Sequence, residues 1–327
     1  MFSLDSNFVT DQRKAQAIFF ARTGMAEYMR PGQEWRLSAG RRDLNLAPSI
    51  RVSMKEYFGP PRKIAWHRHS NHGLSSQVCC LNFLGPLATE PKLLSAIVGN
   101  ALGIEPPTML PIEEGPDGQP WFVGFEWTGR ANYLNEWAKS ALSATRGANA
   151  TSADAVVRFQ HGKTIETLLI EWKYTEKYGA PISADGNPTR TGRYADKAFA
   201  PNGPIRADCG LSISDFFWEP FYQLMRQQTL AWQMTQARED GAERVRVLHI
   251  SPKGNRALHK VTSPGLKKFG DDAFDVFREI LVNGDDFLSL TTDEVFSKFL
   301  AMEHHSPAAI EWARYLKDRY GLLFESL

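Results

Sequence analysis

An α/β fold, with a mixed central sheet flanked by helices, is what this 327-residue sequence predicts. Three stretches carry that reading. Residues 121–127, WFVGFEW, read as a buried strand of aromatic and β-branched side chains bounded by turn formers. Residues 154–160 (DAVVRFQ) and 164–174 (TIETLLIEWKY) read as two strands joined by the tight-turn signal His161-Gly162-Lys163. Residues 219–238, EPFYQLMRQQTLAWQMTQAR, read as a long helix, and RVRVLHI at 244–250 follows as a further strand.

The remaining elements follow in order. Thr10 with Asp11 reads as the capped start of a helix running through DQRKAQAIFFAR. Residues 30–75, rich in Arg, Gly, Pro and His, show no period and are expected to be irregular. From Ser75 to about Leu102 the pattern is helical, with Gly85-Pro86 breaking it in two. Residues 106–120 read as a loop, 132–144 as a helix and 146–153 as a polar loop. Residues 175–218 form a long aperiodic stretch, of the size expected for a substrate-covering or merely variable loop. The C-terminal part reads as helical at 267–282 and 293–302. A last helix starts at Ser306-Pro307 and stops at Gly321.

Composition narrows the class. With 43% hydrophobic and 23% charged residues the chain has ample material for a core. The net charge of +1 points to no partner by itself. Its distribution is uneven: residues 1–75 carry twelve Lys/Arg against six Asp/Glu, while 266–327 carry seven against twelve. A basic N-terminal third suits a polyanion, although charge runs are more often solvated faces. Three cysteines, two of them adjacent, make no disulfide framework and fit a reducing compartment. No apolar run approaches the roughly 18–20 residues needed to span a bilayer. The opening residues lack the layout of a secretory signal, so no membrane and a cytoplasmic location are expected.

The hairpin has two distinct faces, because strands alternate their side chains. Ala155, Val157 and Phe159 on one strand, with Leu168, Ile170 and Trp172 on the other, fit a core-facing surface. The opposite face presents Asp154, Glu171 and Lys173. A turn centred on Gly162-Lys163 puts Asp154 directly across from Glu171, whereas one centred on His161-Gly162 leaves them diagonal. Two such close carboxylates repel unless a proton or cation lies between them. Hard oxygen ligands suit Mg²⁺ or Mn²⁺, which can polarise a phosphodiester and acidify a bound water. Lys173, on the same face, could orient or help deprotonate that water, or stabilise developing charge.

Asp154, a short turn and then Glu171-Trp172-Lys173 resemble the PD-(D/E)XK nuclease superfamily, with its restriction-endonuclease-like core. Ala153 stands where the family pattern has Pro. The order helix, three strands, helix, strand also matches, and the resemblance covers roughly residues 75–250. It implies a metal-dependent nuclease in which Asp154 and Glu171 hold Mg²⁺ or Mn²⁺ and Lys173 is the catalytic cation. Nucleic acid, DNA first, would be the partner, and a homodimer is an expectation from the family. The organisation is then a basic, irregular region with a short helix at 1–74, a nuclease-like core at 75–255 and a C-terminal helical extension packed on it at 256–327.

The resemblance also implies an acidic residue on the helix before the first strand, with Glu90 the candidate, and a Gln on the following helix, Gln227 or Gln228. Glu126, flanked by Phe125 and Trp127, is a charge in a buried strand and needs a partner, which makes it a candidate metal ligand. Arg146, Thr151 and Ser152 lead into Asp154 and are candidates for phosphate contact. His67 and His69 would share one face of an extended segment and suit phosphate as well. With His72, and Cys79 and Cys80 nearby, they also permit a zinc site. Two alternatives therefore accompany the nuclease reading: a non-catalytic nucleic-acid-binding or assembly protein on the same fold, and a zinc site at His67, His69 and His72.

Overall fold

The computed structural model describes residues 4–137, 145–148 and 150–324, with side chains from residue 7. The first helix, α1, runs Leu4–Arg22. Thr10 and Asp11 therefore lie inside it, not at its start. Its buried side is Gln12, Gln16, Phe19 and Phe20, a spacing of three to four residues that presents one stripe to the protein. Residues 30–75, expected to be irregular, contain more order than that. A short antiparallel ribbon pairs β1 (Met29–Arg30) with β2 (Gln33–Leu37), and α2 (Arg51–Phe58) buries Met54, Tyr57 and Phe58. Only tertiary contacts organise so short a helix.

Gly85-Pro86 divides the next segment as expected, into α3 (Ser76–Leu84) and α4 (Pro91–Leu102). Ser75 caps α3 by accepting from the Val78 N–H at 3.3 Å. The stretch 106–120 is not simply a loop. It holds the edge strand β3 (Thr108–Leu110) and the tiny pair β4 (Glu113–Glu114) and β5 (Pro120–Trp121). Strand β6 (Val123–Trp127) follows, every residue buried. Of the helix expected over 132–144, residues 132–137 are turns and bends, and 138–144 lie outside the described residues.

The hairpin is β7 (Ala153–His161) and β8 (Thr164–Trp172), paired from Ala155–Ile170 to His161–Thr164. The turn is thus centred on Gly162-Lys163. The 175–218 stretch carries helix α5 (Asn187–Ala198), hidden in the sequence by the glycines and prolines around it. Helix α6 (Phe221–Gln236) and strand β9 (Arg244–Ser251) fall where periodicity puts them. In the C-terminal part, α7 is only Ala273–Glu279, capped by Asp272. A strand, β10 (Phe287–Thr291), leads straight into α8 (Thr292–Ala301), whose capping box is Thr291 with Glu294. Helix α9 (Pro307–Tyr320) starts at the Ser306 cap.

The main sheet runs β10-β9-β8-β7, with β6 and β3 lying along successive halves of the outer edge of β7. β8, β9 and β10 are parallel, whereas β7 is antiparallel to all its neighbours. This is the expected mixed α/β sheet, and both faces are covered. On one side Ala155, Val157, Phe159, Leu168, Ile170 and Trp172 pack with α2, α3, α4, α8 and α9. On the other, Val156, Leu169, Val245 and Val247 pack under α5, α6 and α7. Each aliphatic side chain so buried contributes about 1.5–3 kcal/mol relative to exposure. Among the described residues no helix is long and apolar enough to cross a membrane.

One buried cation ties distant segments together. Arg319 of α9, 2% exposed, donates from Nε to Gln16 Oε1 of α1 at 2.9 Å, and its Nη groups bond the carbonyl and side chain of Asn45 and the Tyr315 hydroxyl. Phe19, Phe20 and Tyr320 surround the guanidinium with ring centroids at 5.1, 5.4 and 5.0 Å. Arg319→Ala would leave those acceptors without a donor. It is expected to lower unfolding stability by about 3 kcal/mol in a urea titration, whereas Lys14→Ala, on the exposed side of α1, leaves the midpoint unchanged.

Candidate active site

Register builds the site. Phe125–Ala155 and Trp127–Ala153 pair across β6 and β7, so Glu126 lies opposite Asp154. Ala155–Ile170 pairs across β7 and β8, so Glu171 lies opposite Asp154 on the other side. These three residues thus fall at one level of three adjacent strands, although among the described residues no group of three or more His, Cys, Asp or Glu is placed to hold a metal ion. Asp154 is partly exposed, while Glu126 and Glu171 are 3% and 1% exposed.

Each carboxylate has a different set of partners. Asp154 Oδ2 accepts from the Trp172 N–H at 2.7 Å. Glu171 Oε1 lies 2.5 Å from Lys173 Nζ, and its Oε2 accepts from Gln227 Nε2 at 2.8 Å. Gln227 also donates to the Ser152 carbonyl at 2.7 Å, so α6 is tied to both strands. Glu126 accepts from Gln77 Nε2 at 2.6 Å and from Ser152 Oγ at 3.1 Å, and His67 Nε2 stands 3.3 Å away. Its backbone is left-handed, φ 51°, which is uncommon for a residue other than glycine. Such strain persists where surrounding contacts over-determine it.

The electrostatics follow from burial and like charge. Burial first, and then Glu171, push the Asp154 carboxyl well above its usual range, against the opposing pull of Lys173. Burial raises Glu171 as well, and Lys173 limits the rise. Burial works against the charge on Lys173, but Glu171, Tyr178 and Asp154 outweigh it and hold the ammonium well above its ordinary value. Burial likewise opposes a charge on His67, and its contact with Glu126 more than compensates, raising it. One buried oxygen here, Gln227 Oε1, has no hydrogen-bond donor among the described residues. The arrangement can hold a cation or a proton between carboxylates, beside a fixed ammonium.

Several expected members are elsewhere. Glu90 precedes α4 and accepts from Ser306 Oγ at 3.0 Å, so its carboxylate serves the start of α9 and not the row. Arg146 is committed to structure: both Nη groups bind Glu113 at 3.1 Å, and Nε donates to the Phe125 carbonyl at 3.0 Å. The bidentate Glu113 carboxylate thus takes the fork that would bind a phosphate. Thr151 bonds Glu136 through N–H (2.6 Å) and hydroxyl (2.8 Å). Gln228, one helical step from Gln227, is buried with Oε1 unpaired and makes no bond to the row.

The histidines do not form a metal cage. His67 faces Glu126, His69 and His72 have ring centroids 6.2 Å apart, and among the described residues no three His, Cys, Asp or Glu gather as a metal site. Cys79 and Cys80 are buried on α3, where burial pushes the Cys79 thiol up to about 12.

Two contributors escaped the sequence reading. Gln77 holds Glu126 and accepts from the His67 N–H at 2.8 Å; its only sequence signal is a polar residue in the apolar run SQVCCLNFL. Glu136 gathers Thr151, the Tyr194 hydroxyl (bonded at 2.5 Å) and Arg226 (3.1 Å), locking the approach to β7 against α5 and α6. Nothing in the sequence marks it.

The raised Asp154 pKa has a stability consequence. Folding favours its protonated form, so that contribution is full below the ordinary carboxylate value of 3.8 and is lost as pH rises through the folded value. Asp154→Asn, which keeps the shape without the charge, should raise the metal-free protein's Tm at neutral pH by a few degrees, about 1 kcal/mol. Melting curves in a chelator should show the gap close toward pH 4.

Comparison with known proteins gives one family. The family described as Restriction Endonuclease associating with ARP matches residues 13–321, nearly the whole chain. No curated protein and no solved structure matches. A match of that extent embraces the sheet, both helical layers and the carboxylate row, and the chain belongs to this restriction endonuclease family.

Proposed function

We propose that this member of a restriction endonuclease family is a metal-dependent phosphodiester hydrolase of the PD-(D/E)XK type, with DNA as its expected substrate. The observation that carries the reading is the register of the hairpin, which sets Asp154 opposite Glu171 with Lys173 Nζ 2.5 Å from the Glu171 carboxylate. Asp154 and Glu171 would hold Mg²⁺ or Mn²⁺. The donor set fits such an ion: hard carboxylate oxygens, too few to form a closed cage, beside the unpartnered Gln227 Oε1. Mg²⁺ typically takes one or two carboxylates and keeps several waters. When bound, it would polarise the phosphodiester and lower the pKa of its water.

The chain's own residues divide the remaining work. Lys173 stays protonated at neutral pH because Glu171 and Asp154 outweigh its burial, so it acts as a fixed cation for charge developing on phosphate. That favours charge stabilisation over proton abstraction for this residue. Gln227 orients Glu171 and pins it to the Ser152 carbonyl. Glu126 adds negative potential to the row while Gln77 and Ser152 fix its carboxylate. It would act through Asp154 and Glu171, or through water.

Cleavage of plasmid, single-stranded DNA and RNA tests the reading. Activity should require Mg²⁺ or Mn²⁺ and fall at least about 10²-fold in Asp154→Ala, Glu171→Ala and Lys173→Ala. Gln227→Ala should lose about 10-fold to 100-fold, while Gln228→Ala and Glu90→Ala retain activity. Wild type cutting no substrate, or variants cutting as well as wild type, would overturn it. Metal binding must also displace the Asp154 proton. Mn²⁺ affinity measured by calorimetry should therefore rise with pH below the folded Asp154 value, by up to about tenfold per pH unit, with proton release to the buffer.

A further inference from the structure

Two basic residues of the N-terminal part, Arg13 and Arg36, lie near the His72 end of the turn that carries His67. That turn is built, not loose: the Ser70 N–H bonds the His67 carbonyl at 3.0 Å, the His72 N–H bonds the His69 carbonyl at 2.8 Å, and Asn45 Nδ2 clamps the carbonyls of Ser70 and His72, each at 2.8 Å. Arg36 of β2 bridges to His72 through the backbone. Arg13 of α1 lies over the Trp35 ring, 5.0 Å from its centroid.

Among the described residues neither Arg13 nor Arg36 has a carboxylate partner; Arg36 Nη1 bonds Gln33 Oε1 at 2.7 Å. Arg36 Nε is buried and has no hydrogen-bond partner among the described residues. His72 reports the same surplus of positive potential: burial, then Arg36, His69 and Arg13, push its pKa down to about 4. At neutral pH it is an uncharged donor beside two guanidiniums. His67, at the other end of the turn, is 3.3 Å from Glu126. His69 follows two residues later, so its Cα lies within about 7.6 Å of that of His67.

We propose that Arg13 and Arg36, with His69 and His72 between them, form a phosphate-binding subsite for the nucleic-acid strand that reaches the carboxylate row. The assignment rests on the nuclease reading above. The fork of Arg36 and the exposed guanidinium of Arg13 suit phosphate oxygens, which arginine binds bidentately. Contacts of this kind position the strand without reading sequence.

Binding without cleavage separates the two ideas. Fluorescently labelled single-stranded and duplex DNA and RNA oligonucleotides are titrated with the full chain in Ca²⁺ or chelator, across a salt series. Arg13→Gln and Arg36→Gln should each weaken binding about five- to tenfold for every sequence and lower the slope of log K against log salt by about 1. Arg36→Lys should retain the slope, and Arg314→Gln, on the exposed side of α9, should bind like wild type. Because Arg13 is exposed, its variant reads the subsite even if Arg36→Gln fails to fold. Wild-type affinity and slope in Arg13→Gln and Arg36→Gln would overturn the subsite while leaving the nuclease reading intact. Competition by polyglutamate as effective as by unlabelled oligonucleotide would also overturn it, in favour of an acidic protein partner. A wild type that binds no oligonucleotide at low salt but cleaves with metal would overturn the subsite alone; one that neither binds nor cleaves would overturn both.

Discussion

Three carboxylates fall at one level of β6, β7 and β8 in a sheet covered on both faces, and the structure is arranged around that cost. Charges of one sign, close together and away from water, destabilise the fold unless protons, cations or donors compensate. Lys173 neutralises Glu171 at 2.5 Å, the Trp172 N–H steadies Asp154, and Gln77, Ser152 and His67 share Glu126. Even so, Asp154 stays well above its ordinary pKa. A row that is imperfectly compensated in the free chain is one that gains most from a bound cation.

The supporting shell draws on every part of the chain. Helix α6 brings Gln227 down to the hairpin, while Arg226, one residue earlier, joins Glu136 and Thr151 and so fixes the entry to β7. On the other face, the pair of Arg146 with Glu113 and the Tyr57 hydroxyl holds the end of β6 where Glu126 begins. Arg319 does a comparable task at a distance by joining α1, the segment around Asn45 and α9. The N-terminal and C-terminal parts therefore enter the same hydrophobic core as the hairpin and are not loose additions to it.

The same logic separates the two uses of histidine. His67 lies against Glu126 and is raised, whereas His72, only five residues away, is lowered to about 4 by burial first and then by Arg36. One end of this short turn meets Glu126, and the other lies near Arg36 and Arg13, which have no carboxylate partner among the described residues.

The sequence by itself determined the hairpin, its two faces and the members Asp154, Glu171 and Lys173, because period-two alternation and a short turn are local properties of the chain. It also marked α6, β9 and the capped last helix, whose signals lie within a few residues. Tertiary structure alone decided the rest. The turn centre, and hence direct rather than diagonal opposition of Asp154 and Glu171, depended on how β7 and β8 seat in the sheet. Gln227 rather than Gln228 reached the site because a single helical step of about 100° separates their directions. Arg146 and Glu90 were drawn to Glu113 and Ser306, partners far away in sequence. Helix α2 and strand β10 are too short to announce themselves, and α5 is hidden by the glycines and prolines around it; burial against the layers that enclose the sheet makes them stable.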